Sequence, residues 1–251
     1  MCDARHDSAG CDQARTDSFE RSCYDSFVAP RGKFITFEGL DGCGKSTQLE
    51  RLAAVLRAGN LPVVITREPG GTAMGEKIRQ LLLDTSTSGL APLAELALMF
   101  ASRAQHIQEI ILPALSKGSL VLCDRFTDST EAYQGGGRKL GSEPVLALHR
   151  ILCADLQPDL TILMDSDVAA SVERARRRNR ARIASSNEGD ENRFEHENRA
   201  FFGRVRNAYL AIAAREPQRV VVVDARGTPD ATHAQIVNVV RHKLKLAAKT
   251  A

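Results

Sequence analysis

The sequence contains the stretch Gly39-Leu40-Asp41-Gly42-Cys43-Gly44-Lys45-Ser46, which fits the phosphate-binding loop pattern G-x-x-x-x-G-K-[ST] without a mismatch. An apolar, β-branched run at 34–38 precedes it, and apolar residues at helical spacing follow it from Ser46 to Leu56. In this setting backbone N–H groups converge on an anion, and the helix dipole adds about half a positive charge. Lys45 would then reach the β- and γ-phosphates, and the Ser46 hydroxyl would bind Mg²⁺. The stretch predicts a nucleoside triphosphate site, against the alternative of a glycine-rich turn that binds nothing.

The bulk composition limits the class of protein. The chain has 251 residues, a hydrophobic content of 43% and a net charge of +3, which suit one large α/β domain or two small ones. No apolar run approaches the roughly 20 residues of a membrane span, and so small a net charge does not demand a nucleic-acid partner. The six cysteines include no C-x-x-C pair and no histidine partners at zinc spacing. We therefore expect free thiols and a cytoplasmic location, with no membrane segment.

Residues 1–31 differ in kind from the rest of the chain. They mix Asp, Arg, Ser and Cys without helical or strand periodicity, and they lack the apolar stretch of a secretory signal. Their acidic residues also argue against a mitochondrial address. We interpret this segment as a disordered tail, or as a start site assigned too far upstream, and we expect a single folded domain over 32–251.

The remainder alternates between strand and helix patterns. Five largely apolar runs predict strands at 33–38, 62–66, 119–123, 159–164 and 219–223. Helical patterns are found at 45–58, 72–83, 91–116, 142–154, 167–180, 195–214 and 229–246. The alternation predicts an α/β fold of the P-loop NTPase type, a doubly wound five-stranded parallel sheet flanked by helices. In such sheets ligands bind beyond the carboxyl ends of the strands, so we expect the chemistry to cluster there.

Charged residues follow the second and third predicted strands. Arg67 and Glu68 come after the second strand, and Arg79 lies about two turns along the next helix, where a guanidinium is suited to binding an anion. An ordinary strand-to-helix turn is the alternative interpretation. Asp124 ends the third strand, as a carboxylate that helps to organise Mg²⁺ does, and Arg125 beside it would face the phosphate to be moved. Together these residues predict a second anion site opposite the loop.

Two further segments carry groups that suit a planar ligand. Tyr133 and Gln134 precede the flexible glycine run Gly135–Gly137, and a glutamine amide offers both the donor and the acceptor that a base edge requires. Phe100 lies one helical turn from Arg103, so a ring face and a guanidinium could address one ligand. An aromatic residue on an amphipathic helix is equally well explained as core.

The most basic segment, 174–182, runs into a polar, helix-poor stretch and then Arg193-Phe194-Glu195. Such a charge run is typical of a solvated helix face or a nucleic-acid patch. Late in a phosphate-loop fold, we interpret it as a lid, about 176–195, that closes arginines over the transferring phosphates. An arginine supplied to the transition state is worth about 10³–10⁵ in rate in related chemistry.

With these residues assembled, the chain resembles bacterial thymidylate kinase, a P-loop nucleoside monophosphate kinase, from Phe34 to about Val239. The matching runs are 37–47, which ends in Ser46-Thr47, Thr66-Arg67-Glu68-Pro69-Gly70-Gly71-Thr72, Asp124-Arg125-Phe126, 129–138 and 158–165. The resemblance implies transfer of the γ-phosphoryl group of ATP to dTMP, with Mg²⁺, giving dTDP for dTTP biosynthesis. It also implies a homodimer, with no specific nucleic-acid partner.

Site roles follow from the matching positions. The resemblance implies that ATP is held by Gly39, Leu40, Asp41, Gly42, Cys43, Gly44, Lys45, Ser46 and Thr47, with Ser46 and Asp124 as the metal-binding pair. It implies that dTMP is bound by Asp41, Glu68, Arg79, Phe100, Arg103, Arg125, Ser129, Thr130, Tyr133 and Gln134. Asp41 would lie near the sugar hydroxyl and Tyr133 would crowd the 2′ position. Arg79 and Arg125 would hold the phosphate, and Phe100 would stack on thymine.

The catalytic positive charge is expected from the lid, because the loop carries Gly42 and Cys43 and no arginine. The predicted catalytic set is Lys45, Arg125, Arg193 and Arg176. Arg193 matches an Arg-hydrophobic-Glu run of the family best, with Arg178 and Arg182 as further candidates. Phe100 precedes Arg103 by three residues and not by four, so Met99 is a rival for the stacking position. Two other functions are kept open, a kinase for another deoxynucleotide or a deoxynucleoside, and a nucleic-acid-binding ATPase.

Overall fold

A computed structural model describes residues 31–85, 89–185, 193–194 and 197–245. Its five strands are β1 (Phe34–Glu38), β2 (Val63–Arg67), β3 (Leu120–Asp124), β4 (Leu160–Asp165) and β5 (Val220–Asp224). They form one parallel sheet in the order β2-β3-β1-β4-β5, with the phosphate-loop strand at its centre. The predicted five-stranded parallel sheet is confirmed. The predicted tail lies outside the described residues except for Arg31.

Helices cover both faces of the sheet. They are α1 (Lys45–Ala58), α2 (Ala73–Leu83), α3 (Pro92–His106), α4 (Leu112–Ser116), α5 (Thr127–Thr130), α6 (Ser142–Cys153), α7 (Val168–Ser185), α8 (Arg199–Arg215) and α9 (Pro229–Leu244). Two π-helical segments, Ile107–Ile111 and Glu131–Gly137, join α3 to α4 and follow α5. The side chains of 182–185 are not described. In the part of the chain that the structure covers, no helix is both long and apolar enough to cross a membrane.

The alternation of side chains along β1 divides the core into two layers. Ile35 and Phe37 pack on one face of the sheet, in a cluster with α1 and α9. Phe34 points to the other face, in a cluster with α3, α4 and α6. All five residues of β1 are buried, as expected for a central parallel strand covered on both sides. This rigid strand carries the phosphate loop at its carboxyl end.

The glycine run differs from the prediction. We expected a flexible loop at 135–137, but these residues lie in the helical segment Glu131–Gly137, packed against α8. A Cβ atom on Gly136 would lie 2.6 Å from the Ala208 Cβ, and one on Gly137 would lie 2.5 Å from the Phe201 ring. The glycines therefore allow two backbones to approach closely, and flexibility is not their purpose.

Helix boundaries also differ from the prediction in two places. The helix predicted at 91–116 is interrupted by the π-helical segment Ile107–Ile111, just before Pro113, which has no N–H for a regular helical bond. α7 continues to Ser185, so much of the basic run is helical, while 186–192 lie outside the described residues.

Candidate active site

Positive backbone φ angles shape the phosphate loop between β1 and α1. Gly39, Gly42 and Gly44 have φ angles of 132°, 80° and 99°, conformations that L side chains rarely adopt. A Cβ on Gly42 would lie 2.1 Å from the Ser171 carbonyl oxygen of α7. The loop conformation therefore depends on glycine, and its closest neighbour is the helix that carries the basic run.

Lys45 and Ser46 begin α1 at the mouth of this loop. The Lys45 Nζ donates to the carbonyl oxygens of Gly39 and Leu40 at 3.1 and 2.9 Å, so the buried ammonium group folds back over the loop. The Ser46 hydroxyl donates to the Asp124 carboxylate at 2.8 Å. Among the described residues no group of three or more His, Cys, Asp or Glu side chains could hold a metal ion. A hydroxyl and one carboxylate are hard oxygen donors that suit Mg²⁺, which keeps several water and phosphate ligands of its own.

An open cleft of about 490 Å³ lies beyond the carboxyl ends of the strands. It brings together most of the predicted site residues, namely Asp41, Gly42, Gly44, Lys45, Ser46, Thr47, Glu68, Arg79, Arg103, Asp124, Arg125, Ser129, Thr130, Tyr133 and Gln134. Gly39, Leu40, Cys43, Phe100, Arg176 and Arg193 do not line it. Arg67, Pro69, Leu83, Met99, Arg178, Asn179 and Phe194 complete its wall. The cleft therefore joins the phosphate loop to the segments that follow β2 and β3.

Arg125 is fixed in the cleft by several hydrogen bonds. Its guanidinium donates to the Ser129 hydroxyl and the Asp41 carboxylate at 2.8 Å each, and to the hydroxyls of Tyr209 and Tyr133 at 3.0 and 3.2 Å. Its backbone has φ of 74°, a strained conformation for a residue other than glycine. The Arg125 N–H also donates to the Phe37 carbonyl oxygen of β1 at 3.0 Å. Arg125 is thus held in one position before any anion binds.

Asp41 is the counter-charge of this arginine. Its Oδ2 also accepts a hydrogen bond from the Tyr133 hydroxyl at 3.2 Å. Burial alone would raise the pKa of Asp41, but the charges of Arg125 and Lys45 outweigh burial and hold that pKa well below its usual range. Asp41 is therefore ionised at neutral pH and orients both Arg125 and Tyr133.

Glu38 lies beneath Arg125 and was not predicted as a site residue. It is fully buried and accepts hydrogen bonds from the Phe126 N–H at 2.8 Å, from the Ser129 hydroxyl and from the Tyr209 hydroxyl. Burial raises its pKa to about 8, and the nearby Asp128 carboxyl adds to this, while the Ser129 hydrogen bond and the Arg125 charge oppose it. Its position directly before the glycine loop was the sequence signal for it.

Arg103 forms the opposite wall with groups that are all buried. Its Nε donates to Glu68 at 2.7 Å and its Nη2 to the Thr130 hydroxyl at 2.8 Å. The third nitrogen, Nη1, is buried without a hydrogen-bond partner in the described part of the chain. The guanidinium that lines the cleft therefore keeps one buried donor that no described residue uses, and buried polar groups normally have a partner.

The stacking role predicted for Phe100 requires a correction. Phe100 is fully buried in the core and does not line the cleft, whereas Met99 does. The Arg103 guanidinium covers the Phe100 ring, 4.8 Å from its centroid. Phe100 therefore supports Arg103 from behind, because the rotation of α3 turns Met99, and not Phe100, towards the cleft.

Gln134 is oriented by a carboxylate that was also not predicted. Its Nε2 donates to the buried Glu95 at 2.7 Å. Glu95 also accepts hydrogen bonds from Arg138 at 3.3 Å and from Arg193 at 2.7 Å. With its amide nitrogen bound in this way, Gln134 has its carbonyl oxygen left for a ligand. The one sequence feature that points to Glu95 is that it lies on the same predicted helix as Met99 and Arg103.

The predicted lid arginines lie in different places. Arg178 lines the cleft, and its charge contributes to lowering the pKa of Asp41. Arg174 donates to the Gly42 carbonyl oxygen at 2.7 Å. Arg176 donates to the Glu197 carbonyl oxygen at 3.4 Å, and Arg193 bonds to Glu95 and to the Leu82 carbonyl oxygen. Of these arginines, Arg178 lines the cleft, whereas Arg176 and Arg193 lie against other partners in this structure.

Comparisons with known proteins identify the family of this chain. The family model described as thymidylate kinase matches residues 37–236. The chain is 47% identical over 214 residues to the thymidylate kinase of Pelobacter propionicus, covering 85% of this chain and 96% of that protein. It is 51% identical over 194 residues to that of Pseudomonas syringae pv. tomato, covering 77% of this chain and 88% of that protein. The crystal structure of the Ehrlichia chaffeensis thymidylate kinase matches with a TM-score of 0.66 at 34% identity, covering 84% of this chain and 100% of that one. The chain therefore belongs to the thymidylate kinase family and is a dTMP kinase.

Proposed function

We propose that the chain transfers the γ-phosphoryl group of ATP in line to a phosphate oxygen of dTMP, releasing dTDP and ADP. The observation that carries this proposal is the single cleft that joins the phosphate loop to Arg125 and to the Arg103–Gln134 wall. In the transfer, the acceptor oxygen forms a bond to the γ-phosphorus while the bond from that phosphorus to the β,γ-bridging oxygen breaks. The acceptor oxygen is already anionic, so no strong general base is needed.

The loop residues 39–47 would hold the triphosphate of ATP. Lys45 would exchange its hydrogen bonds to the loop carbonyl oxygens for bonds to the β- and γ-phosphates. Ser46 and Asp124 would hold Mg²⁺, whose chemistry when bound is to neutralise the charge on the phosphate oxygens. The residues of this chain would hold the phosphates in the geometry that the transfer requires and so disfavour other reactions.

The acceptor phosphate would bind to Arg125 and Arg79. This assignment is supported by the four hydrogen bonds that fix Arg125 and by Arg79, which also donates to the Pro69 carbonyl oxygen at 3.1 Å at the cleft edge. Asp41 and Tyr133 would border the sugar, where the Tyr133 ring would crowd a ribose 2′ hydroxyl. Preorganised cations of this kind stabilise developing charge without moving at the moment of reaction.

The thymine base would lie between Met99 and the polar wall. The unused Arg103 Nη1 would donate to a base carbonyl oxygen, and Gln134 would accept from a base N–H through its free carbonyl oxygen. Glu68, Ser129 and Thr130 would support these contacts. Arg178 would supply the lid's positive charge to the transferring phosphoryl group, with Arg176 and Arg193 bracing the lid against Glu197 and Glu95.

We further propose that the protein acts in the cytoplasm as a homodimer. The described cysteines Cys43, Cys123 and Cys153 are free thiols, which suits a reducing compartment. Leu93 and Ile151 are 63% and 75% exposed on the neighbouring helices α3 and α6, and apolar side chains of this kind suit a subunit contact. Light scattering during size-exclusion chromatography measures the mass, and a monomer at micromolar concentration contradicts the dimer.

A coupled assay of ADP release tests the donor and acceptor together. It compares dTMP, dUMP, dCMP, dGMP and thymidine as acceptors at saturating ATP and Mg²⁺. We expect the highest kcat/KM for dTMP and loss of activity on removal of Mg²⁺ by a chelator. Equal activity with dCMP or dGMP, or full activity with chelator, would contradict the proposed site chemistry.

A further inference from the structure

A chain of buried hydrogen bonds runs behind the Arg103 wall. The Thr66 hydroxyl bonds to the His106 Nε2, and the His106 Nδ1 bonds to one oxygen of Glu68 at 2.8 Å. The other Glu68 oxygen accepts from the Arg103 Nε at 2.7 Å. His106 is fully buried, and a Cβ atom on Gly71 would lie 2.8 Å from its ring, so the imidazole cannot shift towards that loop. The chain therefore links β2 to the cleft through four fixed side chains.

The proton positions in this chain follow from Glu68. Burial alone would raise the pKa of Glu68, but the Arg103 charge and the His106 hydrogen bond outweigh burial and hold that pKa below its usual value. An ionised carboxylate only accepts, so the His106 Nδ1 carries the hydrogen. On the other side of the ring, the His106 Nε2 and the Thr66 hydroxyl form a hydrogen bond. Each oxygen of Glu68 thus has its own donor.

This division of donors explains why the Arg103 Nη1 is unused. Because His106 satisfies one Glu68 oxygen, that oxygen does not compete for the remaining N–H groups of Arg103. Without His106, the carboxylate would have a buried oxygen that lacks this donor, and Arg103, already bonded to the other oxygen, could turn towards it. The Arg103 guanidinium, which lines the cleft, would then be drawn towards Glu68.

We propose that His106 is a positioning residue for base selection, which keeps the Arg103 Nη1 available to a pyrimidine with a carbonyl oxygen at position 4. Guanidinium groups donate and never accept, so this position rejects a 4-amino group, which is also a donor there. The inference rests on the proposed placement of the base against Arg103. It extends that proposal to a residue that touches no substrate.

The test compares kcat and KM for dTMP, dUMP and dCMP in His106→Leu and His106→Asn. Leucine removes the donor to Glu68, whereas the asparagine amide restores a donor near the Nδ1 position. We expect His106→Leu to lower kcat/KM for dTMP and dUMP by roughly 10–100-fold, the range for loss of supporting hydrogen bonds at other sites. We expect the ratio of kcat/KM for dTMP to kcat/KM for dCMP to fall as well, mainly because the KM for dTMP rises. On a logarithmic scale, His106→Asn should recover at least half of the loss in that ratio.

His149→Leu is the matched control, because His149 is equally buried but bonds to Thr127, outside the cleft. It is expected to keep the wild-type ratio. Thermal melting and circular dichroism establish that the variants are folded. A folded His106→Leu that keeps the dTMP to dCMP ratio within twofold of wild type overturns the inference.

A second pair of variants serves if His106→Leu does not fold. Thr66→Val removes only the hydroxyl that fixes His106, and Thr36→Val removes a similar buried hydroxyl that bonds to Thr161 at 2.8 Å, away from Arg103. Thr66→Val is expected to lower the dTMP to dCMP ratio about threefold to tenfold, and Thr36→Val to leave it unchanged. Equal ratios in the two variants overturn the inference. A wild-type enzyme without preference for dTMP over dCMP instead refutes the proposed base contacts themselves.

Discussion

Replacing Glu38 by glutamine is expected to change how the stability of the protein depends on pH. Glutamine has the shape of the protonated acid, so it keeps the hydrogen bond from the Phe126 N–H and can donate to the Ser129 and Tyr209 hydroxyls. Because glutamine does not ionise, the substitution removes the contribution of Glu38 to the pH dependence of stability. The pKa of Glu38 is raised from 4.5 to about 8 in the folded protein.

The direction and size of the effect follow from this shift. Between pH 4.5 and about 8 the folded protein holds the Glu38 proton and the unfolded chain has lost it, so the group stabilises most at low pH and its contribution declines as pH rises. From pH 5 to pH 8 this linkage lowers the free energy of unfolding by about 3 to 4 kcal/mol, at about 1.4 kcal/mol for each pKa unit. Glu38 is fully buried, so solvent screening does not reduce this figure.

Urea unfolding followed by circular dichroism at half-unit steps from pH 5 to 8.5 measures the effect. The wild-type free energy of unfolding minus that of Glu38→Gln should fall by about 3 to 4 kcal/mol across this range. Glu50→Gln, an exposed carboxylate on α1, controls for the loss of one formal charge and should follow wild type. Parallel curves for wild type and Glu38→Gln would refute the reasoning, because they require Glu38 to be ionised in the folded protein.

Three further changes test other parts of the molecule. Arg178→Ala is expected to lower kcat at least about 10²-fold with little change in the KM for dTMP, because it removes positive charge from the transition state. Arg177→Ala, which changes a neighbouring arginine outside the cleft, should leave kcat unchanged. Equal effects of the two substitutions would contradict the assignment of Arg178. Gly136→Ala should destabilise by about 1–3 kcal/mol in thermal melts because of the contact with α8, while Gly203→Ala, in open space, should stabilise by about 0.5–1 kcal/mol. Asp124→Asn should raise the Mg²⁺ concentration for half-maximal activity roughly 10–100-fold, and an unchanged Mg²⁺ titration would remove Asp124 from the metal site.

The strands and the phosphate loop could be predicted because their signals are local. A parallel strand buried on both faces needs a run of apolar residues, and Leu120–Cys123 or Val220–Val223 has no other good explanation. The loop pattern specifies glycine where φ is positive and lysine where the phosphates would lie. The cluster after β2 and β3 followed from the same reasoning, since parallel strands end at one edge of the sheet.

The errors arose where a distant contact decides the outcome. A run of glycines is equally compatible with a flexible loop and with a helix that packs closely against another helix. At 135–137 the close neighbour is α8, some 70 residues further along the chain, which the local sequence does not show. Met99 and Phe100 differ by 100° around α3, less than the width of an apolar stripe, so periodicity did not separate them. The contact of Arg193 with the buried carboxyl group of Glu95, about 100 residues away, likewise cannot be read from the sequence.

The hydrogen bond from the Arg125 N–H to the Phe37 carbonyl oxygen has a consequence for how the enzyme can evolve. It belongs to the ladder between β1 and β3, so the strand that carries the phosphate loop and the strand that leads to Arg125 are adjacent in one sheet. Their separation is set by the spacing of a β-sheet, about 4.8 Å, and not by any side chain. The phosphate loop and Arg125 therefore share one backbone support, and substitutions of cleft side chains leave this ladder in place.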